Sequence, residues 1–281
     1  MRLHLAFLFL ILATSAWVRA DGPARRVVSL SPNLTELVFA LDVGDRLVGR
    51  STACDAPAEA AAVPLAGDFG RPNLERLQEL HPDVVLVTDL ERPGLVVRLR
   101  ALGIEVMELP CEDWASMMEA ARRISVAVGE PEKGVAWTTD MESRRAHLAE
   151  QVRVHWADRI RPLVYLEVWG DPLTTPGRKS FLHDLIELAG GRNLGAALDE
   201  SYAHVSAEWI LAERPDVIVL AYMIPQAGPG LGRIAQRPGW SNLPALKRGR
   251  VCTAIPPDLL LRPGPRWIEG AEQLAEYLQG E

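Results

Sequence analysis

From Arg26 onward, short β-branched runs alternate with segments whose apolar residues recur at helical spacing. Val27-Val28-Ser29-Leu30 reads as a strand. Ser31-Pro32 then supplies an N-cap residue and a proline at the first helical position. Leu34, Leu37, Val38 and Leu41 fall at i, i+3, i+4 and i+7, on one buried helical face, and Gly44 closes that helix. The same logic predicts strands over Val84–Val87 and Glu105–Leu109, with a helix around Gly94–Leu102 between them. Strands joined through helices build parallel α/β sheets, because each crossover helix covers a sheet face.

The pattern repeats. Asn73-Leu-Glu75-Arg-Leu-Gln-Glu-Leu-His81-Pro82-Asp83-Val-Val matches Ser206-Ala-Glu208-Trp-Ile-Leu-Ala-Glu-Arg214-Pro215-Asp216-Val-Ile. Each copy opens on a capping residue, carries Glu in the first helical turn and breaks at Pro-Asp before a strand. Matched units in the two halves predict two lobes of similar build. Between them, residues 131–156 read as one long, partly buried helix, and a single helical link restricts hinge motion. The organisation expected is therefore a leader over residues 1–20, an N-terminal α/β lobe over 21–130, the linking helix over 131–156 and a C-terminal α/β lobe over 157–281. Mostly parallel sheets and a ligand cleft between the lobes complete that expectation.

The leader changes where the protein is expected to work. Arg2 and His4 precede an apolar stretch from Leu5 to Ala16, and Val18-Arg19-Ala20 offers a cleavage site before Asp21. That stretch is short for a membrane span, so export to the periplasm is expected, with no lipid-bearing cysteine at the cut. After Ala20, 28 basic residues face 37 acidic ones, a formal charge of −9. Such a surface repels nucleic-acid phosphates and anionic lipid. Cys54, Cys111 and Cys252 permit one disulfide, with a Cys54–Cys111 bridge left open, and their spacing does not suit a thiolate zinc site.

With these pieces in place, the chain resembles the helical-backbone class of substrate-binding proteins, which serve importers of cobalamin, ferric siderophores and haem. The likeness runs from about Arg26 to Leu278. It rests on Val-Ser-Leu-Ser-Pro-Asn-Leu-Thr-Glu (28–36), Asn-Leu-Glu (73–75), Leu-Ala-Gly-Gly-Arg-Asn (188–193) and Arg-Pro-Gly-Pro-Arg (262–266). The cobalamin-binding branch is nearest, through Glu167-Val-Trp169-Gly170-Asp-Pro172 and Gly177-Arg-Lys-Ser-Phe181. The resemblance implies a monomeric carrier with no resident cofactor or metal, partnered by an ABC permease and its ATPase subunit. It also implies that Glu75 and Glu208, one per lobe, dock into arginine pockets of the permease. A simpler role for each glutamate is to favour the positive end of its helix.

In this layout ligands meet loops at the carboxyl ends of the strands. The candidate loops are 51–57, 67–70, 169–175 and 200–204. Phe69, Trp169 and Tyr202 are the candidate walls for a large planar metal chelate, with Cys54 and Asp55 in the first loop. Ala53 and Ala56 stand where the cobalamin branch often has aromatics, and Phe69 and Tyr202 where tryptophan occurs, so the lining is thinner. His204 reads either as a solvated loop histidine or as a donor to cobalt or haem iron. Haem or ferric siderophore is the alternative cargo, the latter needing convergent arginines such as Arg178, Arg233 and Arg262. An exported enzyme is the more distant reading: no nucleophile elbow, Walker loop or His-Glu-x-x-His is present. Gly228-Pro-Gly230-Leu-Gly232 lacks dinucleotide spacing and reads as a mobile loop.

Overall fold

A computed structural model of the chain describes residues 22–88, 94–223 and 233–280. The leader and the Gly228–Gly232 segment lie outside the described residues.

The N-terminal lobe is built from β1 (Val27–Ser29), α1 (Pro32–Ala40), β2 (Leu47–Ser51), β3 (Leu65–Asp68), β4 (Arg71–Pro72), α2 (Leu74–Leu80), β5 (Val84–Val87), α3 (Leu95–Ala101), β6 (Val106–Glu108) and α4 (Trp114–Ala127). Its sheet runs β4-β3-β2-β1-β5-β6, parallel throughout except at the β3–β4 hairpin. Helix α5 (Pro131–His155), 25 residues long, leads to the second lobe. That lobe comprises β7 (Leu163–Glu167), β8 (Trp169–Gly170), β9 (Leu173–Pro176), α6 (Phe181–Leu188), β10 (Arg192–Asn193), β11 (Tyr202–His204), α7 (Ala207–Glu213), β12 (Val217–Leu220), α8 (Pro244–Lys247), β13 (Val251–Cys252), α9 (Pro257–Leu261) and α10 (Trp267–Gln279). A parallel sheet, β10-β7-β12-β13, and an antiparallel one, β11-β9-β8, complete it.

Continuous apolar strands such as Val84–Val87 arise because both faces of a parallel sheet are covered. Alternate residues feed opposite layers: Val27, Val84 and Leu86 enter one core cluster, and Val28, Val85 and Val87 another. The C-terminal lobe divides likewise, with Val164, Leu166, Val217 and Val219 on one side and Tyr165, Ile218 and Leu220 on the other.

The repeated units fold alike. The Asn73 side chain accepts from the Arg76 N–H at 3.0 Å, and the Ser206 hydroxyl accepts from the Trp209 N–H at 3.1 Å. Each helix ends on a left-handed residue, His81 (φ 43°) or Arg214 (φ 54°). The Asp83 carboxylate then accepts the backbone N–H groups of Arg25 and Arg26 (2.7 and 2.9 Å). Asp216 accepts that of Leu163 (3.0 Å), so each Pro-Asp carboxylate fastens the start of its lobe's first strand.

Two local expectations change, and one question left open is answered. Ser31 occupies the N-cap of α1 but makes no capping bond; its Oγ lies 3.3 Å from Thr88 Oγ1 instead. Helix α1 ends at Ala40, and Gly44 opens a separate 3-10 turn (Gly44–Arg46). Cys54 and Cys111 do not bridge each other: both thiols are buried, with Cys54 Sγ 3.2 Å from Ser51 Oγ and Cys111 Sγ 3.6 Å from the Leu109 carbonyl.

The lobes share core. Trp114, Met117 and Met118 at the start of α4 belong to the C-terminal core, whereas Ala120, Ala121, Ile124 and Val128 belong to the N-terminal one. Trp137 of α5 packs against both clusters. Gly134 lets α5 approach α4 closely; a Cβ there would lie 2.1 Å from Ser125 Oγ.

Candidate ligand-binding site

Loop 51–57 leaves the end of β2, and Arg262 follows α9 beyond β13; the Asp55 carboxylate accepts both guanidinium N–H groups of Arg262 at 2.6 and 3.2 Å. Asp55 is thereby held across the lobe junction, and the Arg262 hydrogen bond lowers its carboxyl below the ordinary value. Its loop is also tied to the 67–70 turn, since the Thr52 hydroxyl donates to Asp68 at 3.1 Å. Gly67 (φ 129°) and Gly70 (φ 69°) provide the backbone that this turn requires, and a Cβ on Gly67 would meet the Asn73 amide nitrogen at 2.4 Å. The turn leaves Phe69 40 % exposed. Cys54 differs from its neighbours: it is fully buried and presents nothing to the cleft, because its thiol packs toward Ser51 and the Ser29 carbonyl.

In the C-terminal lobe, β8 carries Trp169 and β11 carries Tyr202 and His204. Trp169 and Tyr202 are each 43 % exposed, and His204 is exposed too. The Trp169 indole donates to the Asp171 carbonyl at 2.7 Å, which fixes the ring. His204 Nδ1 lies 3.0 Å from Thr174 Oγ1. Desolvation raises the Tyr202 phenol above its ordinary value, opposed by a hydrogen bond with Ser180. Thus Trp169 and His204 flank Thr174, Tyr202 shares β11 with His204, and Phe69 stands on the other lobe.

Two ionic clusters escaped sequence reasoning. The first spans the junction: Glu36 of α1, nearly fully buried, accepts from Arg262 (3.1 Å) and twice from Arg266 (2.9 and 2.8 Å). Arg266 also donates to Asp258 at 2.6 Å, and Asn33 donates to the Pro263 carbonyl at 3.2 Å. The segments 28–36 and 262–266 are thus partners in space, and their joint presence among the family-like pieces was the available signal. The second cluster surrounds Glu167, at 0 % exposure, at the end of β7. Tyr165 (3.0 Å), Tyr222 and Arg237 (2.6 and 2.8 Å) all donate to it. Burial first, and then the Glu167 charge, push both phenols far above their ordinary range.

Two of the three arginines that could meet an anionic siderophore are already paired with carboxylates. Arg178 is tied to Asp199 at 2.8 Å, while Arg262 is engaged at the junction. Among the described residues no group of three or more His, Cys, Asp or Glu side chains could hold a metal ion. A cavity of about 740 Å³ lies at the junction, lined by Phe39, Pro57, Trp137, Met141 and Pro265 among others, beside α5 and away from Trp169. Glu75 and Glu208 are exposed in the first turns of α2 and α7. Glu208's carboxyl is lowered, chiefly by a backbone N–H bond at the helix start.

The periplasmic binding protein family matches residues 27–257. The chain belongs to that family. It is 30 % identical over 260 residues to an uncharacterized ABC transporter substrate-binding lipoprotein, YvrC, of Bacillus subtilis, covering 90 % of this chain and 80 % of that protein. It is 33 % identical over 276 residues to the vitamin B12-binding protein of Salmonella paratyphi A, covering 97 % and 96 %. A periplasmic heme-binding protein from Pseudomonas aeruginosa superposes with a TM-score of 0.79 at 26 % identity, covering 90 % and 91 %. All three are named as binding proteins, and the Bacillus subtilis one as the substrate-binding lipoprotein of an ABC transporter.

Proposed function

We propose that this chain is an exported, monomeric carrier that captures a corrinoid in the cleft and passes it, chemically unchanged, to an ABC permease and its ATPase. The observation that carries the cargo is the 33 % identity to a vitamin B12-binding protein across 97 % of the chain. The exposed Phe69, Trp169 and Tyr202 supply aromatic faces for a planar macrocycle, and Asp55 a polar contact at the junction. Glu75 and Glu208, one on each lobe, offer paired negative charge to the permease.

The test is a titration of residues 21–281 with cyanocobalamin, dicyanocobinamide and haemin, following the seven tryptophans beyond Trp17. Saturable one-to-one quenching by a corrinoid at submicromolar concentration is expected. Tight binding of haemin with none of either corrinoid would replace the cargo by haem, the reading favoured by the likeness to a heme-binding protein. Turnover of a bound ligand would refute the carrier role itself.

A further inference from the structure

The antiparallel sheet of the C-terminal lobe aligns three side chains in one row. Trp169 of β8 pairs with Thr174 of β9, and Thr174 pairs with His204 of β11. Residues directly opposite in antiparallel strands project to the same face. An indole, a hydroxyl and an imidazole therefore stand side by side, with Thr174 buried between two exposed neighbours. Adjacent strands lie about 4.8 Å apart, so Trp169 and His204 are separated by roughly 10 Å, comparable to the reach of one macrocycle.

Two hydrogen bonds decide what the imidazole offers. Thr174 Oγ1 donates to the Pro172 carbonyl at 2.9 Å, and the same oxygen lies 3.0 Å from His204 Nδ1. A hydroxyl has one hydrogen and a carbonyl only accepts, so Thr174 must accept from Nδ1–H. The lone pair of the neutral ring is then on Nε2, at an exposed position. A hydrogen bond from the other ring nitrogen is the usual device that orients a metal-ligating histidine and fixes its tautomer. Trp169 is held just as firmly by its bond to the Asp171 carbonyl.

We propose that His204 Nε2 supplies an axial ligand to the metal of a planar tetrapyrrole that packs against Trp169, with Thr174 as the positioning residue that sets the tautomer. The proposal rests on the carrier reading above and deepens it: the cargo is a tetrapyrrole whose metal has an exchangeable axial site. On binding, the Nε2 lone pair forms a dative bond to the metal and a weakly held water leaves. No electron is transferred, and Nδ1 keeps its proton.

The experiment compares diaquocobinamide, whose axial waters exchange, with dicyanocobinamide, whose axial sites are filled by cyanide, and with haemin as the alternative tetrapyrrole. Visible spectra and affinities are recorded for the mature chain, for His204→Ala and for Thr174→Val. The expected result is a band shift when the wild-type chain binds diaquocobinamide, absent in His204→Ala, with at least a tenfold fall in the diaquo-to-dicyano affinity ratio. Thr174→Val keeps the imidazole but loses the tautomer lock, so that ratio should fall several-fold. If haem is the source, the same dependence appears in the Soret band of haemin. Dicyanocobinamide binding combined with spectra that do not depend on His204 would overturn this proposal alone. If none of the three probes binds, the proposal and the carrier reading fall together.

Discussion

In each lobe the same fittings recur: a capped seven-residue helix, a left-handed exit and an aspartate that ties the first strand. At the cleft end the lobes diverge. Val84 pairs with Val27 in one sheet and Val217 with Val164 in the other, so Glu167 takes in the C-terminal lobe the place that Leu30 takes in the N-terminal lobe. Leu30 is an ordinary buried leucine, whereas Glu167 is a buried carboxylate gripped by Tyr165, Tyr222 and Arg237. Among the described residues, the C-terminal lobe alone adds a separate antiparallel sheet, whose β9 packs against β7. A common scaffold thus holds the lobes to one plan, and the proposed recognition residues of the C-terminal lobe stand where they differ.

The comparison can be tested most severely at the repeated units. Reversing both Glu75 and Glu208 to lysine should reduce corrinoid uptake to the level of cells lacking the protein, with ligand affinity intact. The two single reversals should cost similar amounts, and uptake that survives the double reversal would remove the docking role. Next in size is the asymmetric position. Glu167→Leu, which mimics Leu30, should cost about 3 kcal/mol in urea unfolding, because it strands a partly buried guanidinium and two phenols. Adding Arg237→Met, Tyr165→Phe and Tyr222→Phe should recover most of the loss; no recovery would mean that packing, not charge pairing, dominates there. Asn73→Ala and Ser206→Ala should each cost about 1 kcal/mol and add within error, since the caps are alike and far apart.

The smallest effect concerns acid. The Asp55 carboxyl is lowered on folding, so its contribution is complete above the unfolded value near pH 4 and is lost as pH falls through the lower folded value. Because the carboxylate is largely exposed, solvent screens the pair and the effect is modest. Asp55→Asn should flatten the stability curve slightly below about pH 4. An unchanged curve would show that Arg262 holds the junction through Glu36 alone.

Features set by neighbours in the chain were legible in the sequence. The caps Asn73 and Ser206, the Pro-Asp breaks and the long helix all depend on residues a few positions apart. The two-lobed α/β build followed from them. The ionic clusters were not legible, because Glu36 lies 226 positions from Arg262 and Glu167 lies 70 from Arg237. Sequence shows that such charges exist, but pairing is decided by how the lobes meet. Cys54 illustrates the converse: its place in a cleft loop suggested contact with ligand, yet a small thiol behaves as an apolar group and turned inward. His204 was ambiguous for the same reason, since the Thr174 bond that defines its tautomer comes from a strand 30 residues away.

Helix α4, whose first turns belong to one core and whose last turns belong to the other, makes the two lobes poor candidates for separation. A fragment ending at residue 130 would carry Trp114, Met117 and Met118 into water, and the remainder would have a gap where they belong. Sensors or split reporters made from this chain should therefore keep α4 and α5 intact and take their insertions in surface loops, since evolution has spliced the halves into one piece of architecture.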